Sequence, residues 1–243
     1  MQKKPVTPRR TLAQLPEQKF ASRPQPDWPS DGVTFDHDCT LCPRLAKFLA
    51  AGRAEYPAYY CAPVPPFGDP RARLVIVGLA PGFHGANATG RPFTGDHAGL
   101  LLYRTLYRFG FASQPESVTC DDALKLIDCR INNSVKCVPP ENKPLPAEIR
   151  MCNRYLRADL ERLPRGSLLL ALGSVGHAAA LQALNLKAGQ YRFAHAAEHQ
   201  LPNGLMLMDS YHCSRYNTQT RRLTEEMFED IFRRAREILD AKP

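Results

Sequence analysis

The chain of 243 residues is 44% hydrophobic, 9% aromatic and 23% charged, enough for one sizeable core and unlike the composition of disordered or fibrous chains. No apolar run approaches the roughly 18 residues of a membrane span, and the basic start MQKKPVTPRR leads into no signal-peptide core, so a soluble, cytoplasmic protein is expected. Lys and Arg outnumber Asp and Glu by 32 to 24, a net charge of +8, which favours a polyanionic partner such as nucleic acid without requiring one.

Residues 1–30 carry six prolines and no apolar periodicity, so they read as an extended, poorly ordered arm. Lys3, Lys4, Arg9, Arg10, Lys19 and Arg23 against Glu17 and Asp27 give this arm half of the net charge. It suits a solubilising tail as well as an arm that grazes DNA. Residues 31–243 read as a single domain whose ordered part starts near Phe35.

The first apolar run, Leu74 to Val77, ends in Gly78 and opens a glycine-rich loop, as a buried parallel strand does. Similar runs follow at Ile131–Val135, Leu168–Leu172 and Leu205–Met208, with helical spacing between them. Leu101, Leu102, Leu106 and Phe109 share one helical face before Gly110, a C-terminal stop. Pro146 suits a first helical turn, with Ile149, Tyr155, Leu156 and Leu160 behind it, and a further helix starts after Ser174. Asn203-Gly204 is a hairpin signal. Met227, Phe228, Ile231, Phe232, Ala235, Ile238 and Leu239 make the last segment the clearest helix, capped by Thr224. This alternation predicts a three-layer α/β/α fold around a central, mostly parallel four-stranded sheet, with its ligand site at the carboxyl ends of the strands.

Eight cysteines in a chain without an export signal do not form a disulfide scaffold. Cys39 and Cys42 form a CxxC pair, and Cys137 and Cys152 flank a segment holding Pro139, Pro140, Pro144 and Pro146. Four such thiolates suit either zinc or a [4Fe–4S] cluster. No HExxH pattern suggests a zinc hydrolase.

The loop from Gly78 to Asp96 lacks both the Gly-Lys-Ser/Thr of a phosphate loop and the GxGxxG of a dinucleotide loop, so its glycines serve a turn or a ligand cradle. Asn132 and Asn133 stand in a strand otherwise suited to burial, where an amide needs partners or reads a ligand. His212 stands where the last strand gives way to a polar loop.

Three stretches together, GLAPGFHGANATGRPFTGD at 78–96, NSVKCVPPENKPLP at 133–146 and SYHCSRYNTQT at 210–220, resemble the uracil-DNA glycosylase superfamily, specifically its iron–sulfur branch, family 5 or type b. The resemblance extends from about Cys39 to the final helix. It implies base excision from DNA containing uracil or another deaminated base: the base is flipped out and its N-glycosidic bond hydrolysed to leave an abasic site, with no nucleotide cofactor consumed. His212 then fits the donor to a carbonyl oxygen of the departing pyrimidine. Asn133 fits the reader of the base edge together with the backbone of Gly78, Ala80 and Gly82, and Phe93 stacks beneath the base. Other branches carry an acid or amide where this chain has Ala80, so Asn87 in the same loop becomes the candidate for holding the attacking water. Ser214, Arg215, Tyr216, Asn217 and Thr218 are the expected DNA contacts, although Cys213 replaces the family's usual proline. The resemblance also selects a structural [4Fe–4S] cluster on Cys39, Cys42, Cys137 and Cys152, which brings Lys136, Lys143 and Arg150 towards the DNA backbone. A monomer is expected. The competing class is a nucleic-acid-binding module of this fold, with iron–sulfur or zinc and little hydrolysis.

Overall fold

The computed structural model describes residues 35–241, so the arm expected over 1–30 lies outside the described residues. In chain order, α1 spans Pro43–Glu55, β1 Phe67–Gly68, β2 Leu74–Gly78, α2 Ala86–Thr89, α3 His97–Arg108, β3 Cys129–Asn133 and α4 Pro146–Leu160. There follow β4 Leu168–Leu172, α5 Ser174–Ala183, β5 Glu198–Gln200, β6 Met206–Ser210, α6 Arg215–Gln219 and α7 Glu225–Asp240. The sheet runs β1-β3-β2-β4-β6-β5. Its four inner strands are parallel, as the apolar runs require. The expected four-stranded sheet is extended by two antiparallel edge strands, β1 and β5, of two and three residues. Neither edge strand is fully buried, so neither needs the apolar run that announces an inner strand.

Strand alternation builds the two outer layers. Leu74, Ile76, Leu168, Leu170 and Met208 face α3 and α7, where they pack with Leu102, Leu106, Phe228 and Phe232. Val75, Val77, Leu169, Ala171 and Leu207 face α4 and α5, among Leu156, Leu160, Ala179 and Ala180. The caps follow the sequence: Asp96 accepts from the Gly99 amide at 2.9 Å, Thr224 from the Met227 amide at 3.1 Å, and Pro146 occupies the first turn of α4.

The same alternation sorts the polar residues of β3. Cys129 and Ile131 lie in the α3/α7 core, whereas Arg130 on the opposite face donates to Asp159 of α4 through Nε at 2.9 Å and to the Gly68 carbonyl at 2.9 Å. Asn132 on that face donates to Asp159 Oδ2 at 2.6 Å. Arg130 and Asp159 side chains are 2% and 9% exposed, so the pair is desolvated and removing one partner leaves a buried charge. Asp159→Ala is expected to lower stability by about 3–5 kcal/mol, measured as a lower urea midpoint. An unchanged midpoint would mean that Arg130 finds water or another acceptor.

Candidate active site and four-thiol centre

In a sheet whose chain moves from β2 to β3 on one side and then to β4 on the other, ligands bind at the carboxyl ends, where the order reverses. A cavity of about 550 Å³ opens there, lined by Leu79, Ala80 and Gly82 after β2, Asn133 of β3, Gly173 after β4 and His212 after β6. Its size lies within the roughly 300–1,000 Å³ of small-molecule sites.

The sequence motifs meet in this cavity. A Cβ at Gly78 would lie 2.4 Å from Asn133 Oδ1 and 2.9 Å from the Phe93 ring, so only glycine lets the end of β2 approach both. Phe93 has φ +56°, a left-handed backbone costing a bulky residue on the order of 1–3 kcal/mol. Its neighbours hold it there. Tyr103 donates to the Pro92 carbonyl at 2.6 Å, Thr94 bonds Ser117 at 2.6 Å, and buried Arg91 pairs with Asp122 at 2.6 Å. The Phe93 ring thereby lies 5.8 Å from the His212 ring and 26° from parallel. Asn133 is 4% exposed and its Oδ1 is buried without a hydrogen-bond partner, an amide free to take one from a ligand.

His212 faces the cavity with partial solvent access, yet loss of hydration by the surrounding protein lowers its pKa to about 4. The imidazole is therefore neutral at pH 7. Asn217 Nδ2 donates to the His212 carbonyl at 2.8 Å and Ser214 caps α6, so these residues set the loop that carries His212.

The other expected site residues divide by position. Ser214, Arg215 and Asn217 line the cavity. Tyr216, 71% exposed, and Thr218, bonded to His97 Nε2 at 3.1 Å, are not among its lining residues. Asn87 is fully buried outside the cavity, donating to Cys61 Sγ at 3.4 Å and the Phe83 carbonyl at 3.3 Å. Asn87, expected to hold the attacking water, is therefore not among the residues lining the cavity, and its Oδ1 is buried without a hydrogen-bond partner. Lys136, expected near DNA, is 1% exposed, and its ammonium donates to Asn132 Oδ1 and the Asn133 carbonyl. Asp96 was read only as part of the glycine-rich motif. Among the described residues it is the one acid lining the cavity, its Oδ2 lies beside Gly82 and Gly85, and burial raises its pKa.

A second, small cavity is lined by Cys39, Cys42, Cys137 and Cys152, together with Leu45, Val135 and Tyr155. The thiols belong to three segments: the start of α1, the loop after β3, and α4. Burial, reinforced by the neighbouring thiols, pushes Cys42 up to about 11 and raises Cys137, and burial likewise raises Cys152. Four thiols line one apolar space, an arrangement in which thiolates can share a cationic centre. The Lys136 amide donates to Cys152 Sγ at 3.3 Å, a bond that stabilises sulfur carrying negative charge.

This three-layer α/β protein thus brings an aromatic ring, a buried amide and a neutral histidine to one pocket at the carboxyl ends of its strands. A family model described as the uracil DNA glycosylase superfamily matches residues 65–236. The type-5 uracil-DNA glycosylase of Thermus thermophilus is 44% identical over 207 residues, covering 82% of this chain and 93% of its own length. That of Pyrobaculum aerophilum is 36% identical over 212 residues, covering 86% and 92%. A type-4 uracil-DNA glycosylase of Saccharolobus solfataricus is 29% identical over 186 residues, covering 74% and 77%. The chain belongs to the uracil-DNA glycosylase superfamily, in its type-5 branch.

Proposed function

We propose that this chain excises uracil from DNA by hydrolysing the N-glycosidic bond, with His212, Asn133 and Phe93 as the residues that act on the flipped base. The observation that carries this reading is the convergence of a stacked ring, an unpartnered amide and a neutral imidazole on one cavity. Phe93 supports the base face, and stacking of this kind contributes on the order of 1–3 kcal/mol with little sequence preference. Asn133 supplies the donor and acceptor that a pyrimidine edge needs. As the bond breaks, charge moves to the base, and the neutral His212 N–H donates to its carbonyl oxygen. Arg215 and Ser214 at the cavity mouth contact the phosphates of the extruded nucleotide.

Water positioning passes from Asn87 to Asp96, whose carboxylate lies at the glycine-rich wall. Because asparagine also caps helices well, Asp96→Asn separates this role from the start of α3. It is expected to slow single-turnover excision about 10²-fold with unchanged melting temperature. A rate within twofold of the parent would remove Asp96 from the chemistry.

Cys39, Cys42, Cys137 and Cys152, which line one small apolar cavity, hold a structural [4Fe–4S] cluster in this reading. When bound, the cluster supplies a cross-link between three chain segments. DNA containing uracil is the substrate. Among the described residues no helix is long and apolar enough to cross a membrane.

The test is product analysis on duplex and single-stranded oligonucleotides with one uracil, hypoxanthine or hydroxymethyluracil. Release of free uracil with an abasic product is expected. Tight binding without base release would instead identify a nucleic-acid-binding module of the same fold.

A further inference from the structure

Away from the cavity, α5, β5 and β6 bring together a group of side chains that base excision does not use. Asp209 on β6 is fully buried, and His177 of α5 bonds its Oδ1 through Nδ1 at 2.7 Å. His199 on the edge strand β5 approaches from the other side, its Nε2 3.5 Å from Asp209 Oδ2. Both atoms are buried with no hydrogen-bond partner. A carboxylate oxygen and an imidazole nitrogen left bare opposite each other in the interior cost stability, and such pairs call for an explanation.

We propose that His177, His199 and Asp209 form a binding site for a divalent transition-metal ion of the zinc class. Their ligand atoms all lie within 4.8 Å of one another, as three corners of a tetrahedral site require, and an ion there satisfies both bare atoms at once. His177 is already oriented as a ligand: Nε2 donates to the Tyr191 carbonyl at 3.0 Å, so Nδ1, which faces Asp209, is the atom that can give up its proton to an ion. A backbone carbonyl behind a ligating histidine is the usual outer support of a zinc site. Without metal, Nδ1 carries a proton shared with Asp209. Binding the ion releases that proton to solvent and puts a metal–nitrogen bond in its place. The His199 side chain lies on the sheet edge and is 16% exposed, so solvent reaches part of its ring. Two imidazoles and a carboxylate suit zinc over calcium or magnesium, which prefer all-oxygen ligands. The site is independent of the four cysteines in residues and in position.

Such an ion ties edge strand β5 to β6 and α5 directly beneath the segment leading to His212. Phe193, which lines the active-site cavity, packs edge-on to His177 with ring centroids 5.7 Å apart. The bound ion therefore stiffens one cavity wall without touching the substrate.

The test uses the whole protein with its cysteine-bound iron complete, checked by metal analysis, and zinc chloride as the probe. One zinc per chain is expected to remain after dialysis against a weak chelator, with an X-ray absorption edge showing nitrogen and oxygen neighbours and no sulfur. Zinc at a hundredfold excess over its dissociation constant is expected to raise the melting temperature on the order of 5 °C. His199→Ala is expected to lose both the retained zinc and the shift while still releasing uracil. Sulfur around the zinc, equal retention by His199→Ala, or no retained zinc in the parent would each overturn the proposal. The absorption edge is measured on the parent protein, so it decides the question even if the variant folds poorly.

Discussion

His212→Ala is expected to lower the single-turnover rate of uracil release about 10²–10³-fold, the usual cost of losing one donor aimed at developing negative charge. Affinity for uracil-containing DNA should change only a few-fold. The difference arises because the neutral ground-state carbonyl gains little from a neutral imidazole, whereas the anion formed on bond cleavage gains much. Quenched-flow measurements at saturating enzyme separate the two effects. If the variant keeps a near-parental single-turnover rate while Asp96→Asn abolishes excision, water positioning dominates and the leaving-group account is wrong. The pH dependence is a second check. Burial lowers His212 to about 4 from the ordinary 6.5, so the rate should show no inflection near 6.5 from this residue. The same shift acts on stability. A folded value below the unfolded one makes the contribution of His212 complete above pH 6.5, and that contribution is lost as the pH falls towards 4.

Cys152→Ala should bleach the brown colour of the purified protein, removing the broad absorption near roughly 400 nm that thiolate-bound iron–sulfur clusters give. Cys152 lies on α4, with Cys39 and Cys42 at the start of α1 and Cys137 after β3. Losing the centre leaves α1 attached by Leu45 and Leu49 in a small apolar cluster and by the Arg44–Glu148 ion pair at 2.7 Å. The Arg44 side chain is 37% exposed, so that pair alone is a weak tether. Limited proteolysis should therefore cut first around α1 in the bleached protein, and uracil release should fall less than with His212→Ala. A colourless parent protein carrying stoichiometric zinc on these cysteines, prepared without oxygen, would defeat the iron–sulfur assignment.

Much of the fold could be read because it rests on local signals. The inner strands declare themselves as apolar runs, and Pro146 and Thr224 mark where helices begin. β3 begins and ends two residues earlier than its apolar run suggests, since Arg130 is tolerated inside only because Asp159, far along the chain, neutralises it. α1 went unread because its buried face is little more than Leu45, Leu49 and Gly52. In the site, Gly78, Phe93, Asn133 and His212 could be picked out by motif: the last three line the cavity, and Gly78 packs against Asn133 and Phe93. Asn87 and Asp96 could not be told apart, because both are polar residues of one glycine-rich loop. Which of them faces the cavity depends on the turn at Gly85 and on the cap of α3. Lys136 misled for a similar reason: a lysine in a basic chain reads as surface, and its buried acceptors are set by the turn after β3.

The two asparagines of β3 are neighbours in sequence but serve opposite sides of a wall, Asn132 bracing the helix behind it and Asn133 facing the cavity. A one-residue insertion or deletion within the strand would turn the reader into the brace and aim a bracing amide at the base. The frame of these five residues is thus itself part of the recognition.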